Sequence, residues 1–200
     1  MYEEEDGALA VRLARASIDH TVKGTPMPEI EVPEKFLEDS GAFVTLNTYP
    51  NHDLRGCIGF PEPYFPLKDA LINAAQSATR DPRFPRLAQS ELEKIVVEVS
   101  LLSPPEPIKV RNPKELLAIV KVGTHGLIVE QGRFKGLLLP QVPVEQGWGA
   151  ETFLAHTCMK AGLFADAWLD PKTRIFSFTG DVFSEETPRG KVTRKVLDGA

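Results

Sequence analysis

The chain has 200 residues, 42% of them apolar and 26% charged, which suffices for one substantial core or two small lobes but not for two large domains. Its 28 acidic and 23 basic side chains leave a net charge of −5, which argues against a general binder of nucleic acid or anionic membrane, since phosphate binding rests on clustered lysine and arginine. No stretch reaches membrane-spanning length, Glu3-Glu4-Glu5-Asp6 stands where a secretory signal needs positive charge, and two distant cysteines make no disulfide scaffold; a cytoplasmic location with free thiols is expected.

Residues 7–23 place Val11, Ala14, Ile18 and Val22 on one stripe, which predicts an opening amphipathic helix that ends at Gly24. After a proline-broken stretch, residues 42–49 read as a strand, Pro50-Asn51-His52-Asp53 as a turn, and residues 54–60 as the second arm of a hairpin. A helix over 67–79 shows alanines on its packing face, and Arg80-Asp81-Pro82-Arg83-Phe84-Pro85 follows as a rigid charged loop. Ser90 and Glu93 have capping-box spacing for a short helix. Residues 95–102 are apolar on both faces and belong in the middle of a sheet. Asn112-Pro113 opens a helix to about Val120, and residues 126–130 and 133–139 form a hairpin around Gln131-Gly132. A helix over 150–161 stops at Gly162, and a late strand covers 173–179. The strands come in adjacent pairs rather than one per helix, so an antiparallel α+β sheet is expected rather than a doubly wound one. One domain over 1–200 is the expectation, with two subdomains allowed, and 185–200 form a basic tail whose Arg189, Lys191, Arg194 and Lys195 read as a solvated, frayed end.

The candidate site is Leu54-Arg55-Gly56-Cys57-Ile58-Gly59-Phe60. Alternation along a strand puts Arg55, Cys57 and Gly59 on one side, a guanidinium beside a thiol, while Gly56 and Gly59 suggest that something approaches the backbone closely. An adjacent arginine would stabilise a Cys57 thiolate and lower its pKa; the plain alternative is a small buried hydrophobe. Arg55 would bind a substrate carboxylate or phosphate, or else pair with an acid such as Asp53. Glu98 interrupts an apolar strand and calls for a cation, with Arg80 or Arg83 the candidates, as an internal ion pair or as a general acid or base. Gln141 offers an amide to a ligand or to a turn, and His52 is the best-placed histidine for proton transfer. His156 and Cys158, two apart on a helix, point away from each other, so Cys158 reads as core, and no spaced cluster predicts a metal site or another cofactor.

The same seven residues resemble the L-R-G-C-I-G signature of the AMMECR family. Arg80-Asp81-Pro82-Arg83-Phe84, Glu98-Val99-Ser100-Leu101-Leu102-Ser103, Gly136-Leu137-Leu138-Leu139-Pro140-Gln141-Val142 and Cys158-Met159-Lys160-Ala161-Gly162-Leu163 look like further blocks of it, in the family's order. Phe60 departs from the small polar residue many members carry there. The resemblance implies a curved, largely antiparallel sheet flanked by helices, with a smaller lobe packed on a larger one. The family has no established reaction. Its members occur fused to, or encoded beside, Memo-like and radical-SAM proteins, which implies those partners. Two functions follow: a cytoplasmic enzyme acting on a small anionic metabolite through Cys57, with Arg55, Gly56, Gly59, Arg80, Arg83 and Gln141 binding it and Glu98 assisting; or a non-catalytic module that holds a ligand or peptide at the glycine-rich strand.

Overall fold

In a computed structural model, residues 2–195 are described and fall into two compact units. Unit 1 comprises the chain up to Leu102 together with Asp181–Lys195, and unit 2 comprises Ser103–Gly180. Residues 196–200 of the basic tail lie outside the described residues.

Helix α1 (Glu4–Lys23) opens unit 1, with Glu4, Glu5 and Asp6 in its first turn, where acids favour the positive end of the helix dipole, and Gly24 at φ 69° ending it. The hairpin β1 (Ala42–Thr48) and β2 (Leu54–Phe60) follows, joined by a turn that holds the cis Tyr49–Pro50 bond. Helix α2 (Leu67–Ala78) and strand β3 (Ile95–Leu102) complete the amino-terminal part. Between α2 and β3, residues Gln89–Lys94 form a 3₁₀ turn in which Glu91, rather than Glu93, reaches back to the Ala88 amide.

In unit 2, β4 (Glu106–Pro107) is followed by a 3₁₀ turn at Pro113–Glu115, where the Asn112 side chain accepts from the Lys114 amide as its cap. That turn runs into the short helix α3 (Leu116–Ile119). The hairpin β5 (His125–Gln131) and β6 (Phe134–Leu138) turns at Gly132, φ 61°. Helices α4 (Gln141–Glu145) and α5 (Ala150–Lys160) precede β7 (Arg174–Glu185), and β8 (Val192–Lys195) closes the described chain in unit 1.

Within unit 1 the strand order is β2-β1-β3, then the last residues of β7, then β8; β3 is central, as its two apolar faces require. β1 pairs antiparallel with both β2 and β3. Ala42, Val44 and Leu46 on β1 and Val97, Val99 and Leu101 on β3 are fully buried in one core with Leu13 and Ile18 of α1 and Leu71, Ala74 and Ala75 of α2. A buried ion pair supports it: Arg15 of α1 reaches Glu185 of β7 and donates to the Leu92 and Ile95 carbonyls, and Glu185 accepts from the Val97 amide at 2.9 Å. Every polar group there has a partner, which is what makes burying the charges tolerable.

Unit 2 has its own sheet, with β5 between β6 and the first part of β7, all antiparallel, and its own core of Leu127, Val129, Phe153, Leu154, Cys158 and Trp168. Cys158 is buried there, as its place on the apolar face of α5 predicts, and burial pushes its thiol up to about 11.

The basic tail differs from the sequence expectation. Val192–Lys195 pairs with β7, Arg189 bridges Asp19 and Glu93, Arg194 meets Asp181, and Lys195 meets Glu98. The cause is charge matching: acids spread along the chain present carboxylates to a strand whose own composition reads as a disordered end. β7 also runs to Glu185, past the expected end near 179, because Val182 and Phe183 are buried beyond Gly180.

Candidate functional site

Three side chains line up across the unit 1 sheet on the face opposite its helices. Thr45 of β1 stands opposite Cys57 of β2 on one side and opposite Glu98 of β3 on the other, and directly opposed residues of antiparallel strands share a face. The Thr45 hydroxyl donates to Cys57 Sγ at 3.2 Å. Glu98, 13% exposed, pairs with Lys195 Nζ. Lys195, not Arg80 or Arg83, is therefore the cation that compensates Glu98; β8 supplies it from the far end of the sequence, where no pattern around Glu98 could point.

Cys57 is half-buried, and burial pushes its thiol up from the ordinary cysteine value; the Thr45 hydroxyl and the positive charge of Arg83 act against this, while Glu98 and Asp81 add to it. The expected lowering by Arg55 does not occur, because Arg55 is turned elsewhere. The β1–β2 pairing passes from Leu46 opposite Gly56 to Asn47 opposite Leu54, so Arg55 has no opposite residue and sits in a bulge. A bulge re-aims a side chain, and alternation fails across it. Arg55 forms a two-pronged pair with Glu91 at 2.8 and 3.1 Å, its guanidinium 6.0 Å from the Phe84 ring centre. Its acid is thus Glu91, not Asp53.

The two glycines serve the fold. Gly56 is buried, and a Cβ there would lie 2.4 Å from the carbonyl oxygen of Ala78, the last residue of α2. A Cβ on Gly59 would meet the Phe43 ring at 2.3 Å and the Ala42 carbonyl at 2.5 Å. The close approach they permit is by a helix end and an aromatic ring of the same chain.

Sequence reasoning missed Asp81. Its buried carboxylate accepts from the Cys57 amide at 2.9 Å, from the Arg83 amide at 3.0 Å and from the Arg83 guanidinium at 3.0 and 2.7 Å. Those bonds, the Arg83 side chain first, hold it well below the usual carboxylate range. Arg83 in turn donates to the Cys57 carbonyl at 3.3 Å, so both backbone groups of Cys57 are held by side chains of the following loop. The guanidinium is still 57% exposed and keeps donors for an external anion. Asp-Pro-Arg is the signal that was available: an aspartate whose side chain accepts from the amide two residues on makes an Asx turn.

Arg80 is exposed at the end of α2, and its side chain has no carboxylate partner among the described residues. Gln141 belongs to unit 2, where it opens α4. His52 is an exposed turn residue at φ 60°, edge-on to Tyr49, and His156 stacks on Trp148 at 3.9 Å. Among the described residues no group of three His, Cys, Asp or Glu side chains is placed to hold a metal ion, and no helix is long and apolar enough to cross a membrane.

The model of the AMMECR1 family matches residues 11–183. Among curated proteins the chain is 53% identical over 194 residues to Protein MJ0810 of Methanocaldococcus jannaschii, covering 96% of each chain. It is 51% identical over 201 residues to Protein PH0010 of Pyrococcus horikoshii, covering 98% of this chain and 97% of that one. The crystal structure of that uncharacterized Pyrococcus protein superposes with a TM-score of 0.85 at 50% identity, over 96% of this chain and 97% of the other.

Proposed function

This chain belongs to the AMMECR1 family, and on that premise we propose that it is a cytoplasmic enzyme acting on a small anionic metabolite at the Cys57 face of unit 1. The observation that carries the reading is the polar row of Cys57, Thr45 and Glu98 across three strands, with the half-exposed guanidinium of Arg83 fixed at the Cys57 backbone. Arg83 anchors the anion, joined by Arg80. Cys57 is the reacting thiol, protonated at rest. Glu98, across Thr45 on the same face, assists as the general acid or base, and Lys195 keeps its carboxylate in place. The Memo-like and radical-SAM proteins implied by the family resemblance are the proposed partners.

The second reading, a non-catalytic ligand- or peptide-binding module, is favoured by one observation: burial raises the Cys57 thiol, which works against a nucleophile. Alkylation separates the two. Iodoacetate is an anion and iodoacetamide is neutral, so an anion-selecting reactive site should favour iodoacetate at Cys57, relative to iodoacetamide, more than free glutathione does. Loss of that preference in Arg83→Gln would support the anchor. A Cys57 that reacts with neither reagent at pH 8, in a protein whose fold is intact by circular dichroism, would leave the binding module as the reading.

A further inference from the structure

Unit 2 holds a cavity of about 530 Å³, within the range usual for small-molecule sites, and nothing in the proposed chemistry at Cys57 uses it. Its walls come from the segment after β4, from α3, from the turn before β7 and from β7 itself. Leu116, Trp168 and Ile175 are buried in the unit 2 core behind it, and Ile108 and Phe176 complete an apolar lining. Such a lining selects for an apolar body, and the flat Trp168 and Phe176 rings suit an aromatic or extended one.

The polar lining is lopsided in charge. Lys109, Arg111 and Arg174 line the cavity against one acid, Asp170. Asp170 is already committed: one oxygen accepts from Gln131 Nε2 at 3.0 Å and the other from the Lys172 amide at 2.9 Å. Arg174 pairs with Glu130 at 2.6 Å and lies 5.7 Å from the Phe176 ring centre. Lys109 and Arg111 have no carboxylate partner for their side chains among the described residues. The Glu115 carboxylate accepts from the Arg111 backbone amide at 3.4 Å and is not paired with the guanidinium, so in a chain of net charge −5 the cavity has, beside its apolar floor, two cationic side chains without an ion-pair partner among the described residues.

We propose that this cavity is a second ligand site, separate from the Cys57 face, that takes a small amphipathic anion: an aromatic or aliphatic body in the apolar floor and a carboxylate or sulfonate held by Lys109 and Arg111. Both cations sit on the strand-like segment that follows β4, anchored by the Ile108 amide donating to the Ile175 carbonyl at 2.8 Å. Their backbone is thus set before a ligand arrives, which lowers the entropic cost of binding.

The test uses 4-phenylbutyrate and its uncharged analogue 4-phenylbutyramide as probes on the full chain. The chain has two tryptophans, Trp148 and Trp168, so its indole N–H resonances form a two-peak spectrum that a Trp148→Phe variant assigns. Saturable displacement of the Trp168 peak, with the acid bound at least about 5-fold more tightly than the amide, is the expected result. The paired substitution Lys109→Ala and Arg111→Ala should remove that preference while leaving the amide's affinity unchanged, and raising NaCl from 0.1 to 0.5 M should shrink it. Displacement of the Trp148 peak alone, equal affinities for acid and amide, or no saturable binding of either at millimolar concentration would overturn the proposal.

Discussion

Asp81 is the side chain on which the geometry at Cys57 most depends. Its carboxylate does the work a neighbouring strand would do, accepting the Cys57 amide while Arg83 covers the carbonyl. Asp81→Asn keeps the shape but loses the charge-assisted bonds, and should cost about 2 kcal/mol in a urea titration at pH 7. The pH dependence carries a signature. The folded-state pKa of Asp81 lies below its unfolded value of about 3.9, so its contribution is fully present above that pH and is lost as pH falls toward the folded value. Urea midpoints from pH 6 to pH 2 should therefore fall less steeply in Asp81→Asn than in the parent; parallel curves would show that the carboxylate is not coupled to folding. Cys57 makes the opposite statement. Its pH–rate curve for iodoacetamide should have its midpoint above the free-thiol value of about 8.5, with Cys158 slower still because it is buried. A midpoint at or below 8.5 would refute the assignment of burial as the dominant influence. That Glu98 needs a cation was legible in the sequence; which partners Glu98 and Arg55 would find was not. A bulge of one residue took Arg55 from the thiol to Glu91, and a cation about a hundred residues further along the chain took Glu98 from the arginines.

At the scale of elements, the β1–β2 hairpin is seated by the fit of Gly56 under the end of α2. Gly56→Ala would bring a methyl to 2.4 Å from the Ala78 carbonyl, which is backbone and cannot swing away, so a loss of about 2–3 kcal/mol is expected. Gly59→Ala meets the Phe43 ring, which can move, but also the Ala42 carbonyl at 2.5 Å, which is backbone, so a loss of similar size is expected there; an unchanged urea midpoint would mean that the β1–β2 pairing yields to the methyl. Leu101→Ala, in the fully packed face of β3, should lower stability by about 2–5 kcal/mol by the same measurement, and an unchanged midpoint would misplace the core. The elements with a strong local pattern were readable almost to their ends: α1, both arms of the hairpin, α2, β3 and the turn at Gly132. Those without one were not. β4 is two residues long, α4 carries a proline at its centre, and β8 alternates poorly and is rich in charge, so each exists through what it packs against rather than through its own periodicity.

The whole molecule shows a feature no single element reveals: unit 1 is discontinuous in sequence, leaving at Leu102 and resuming at Asp181. A fragment ending at Leu102 lacks the closing part of β7 and all of β8, and with them the Glu185 partner of buried Arg15 and the Lys195 partner of Glu98. It should be largely unfolded by circular dichroism, because an unpaired buried guanidinium is costly. A cooperative urea transition for that fragment would show that the amino-terminal elements form a self-sufficient core. The same discontinuity sets a timetable for synthesis. When Leu102 leaves the ribosome the first three strands are complete, but their neighbours in the sheet are still untranslated. At about 5–20 residues per second the intervening stretch, roughly 80 residues, takes about 4–16 seconds to make. For that interval β3 offers a bare row of amides and carbonyls to solvent, and a nascent-chain chaperone that shields it would raise the yield of correctly folded chains.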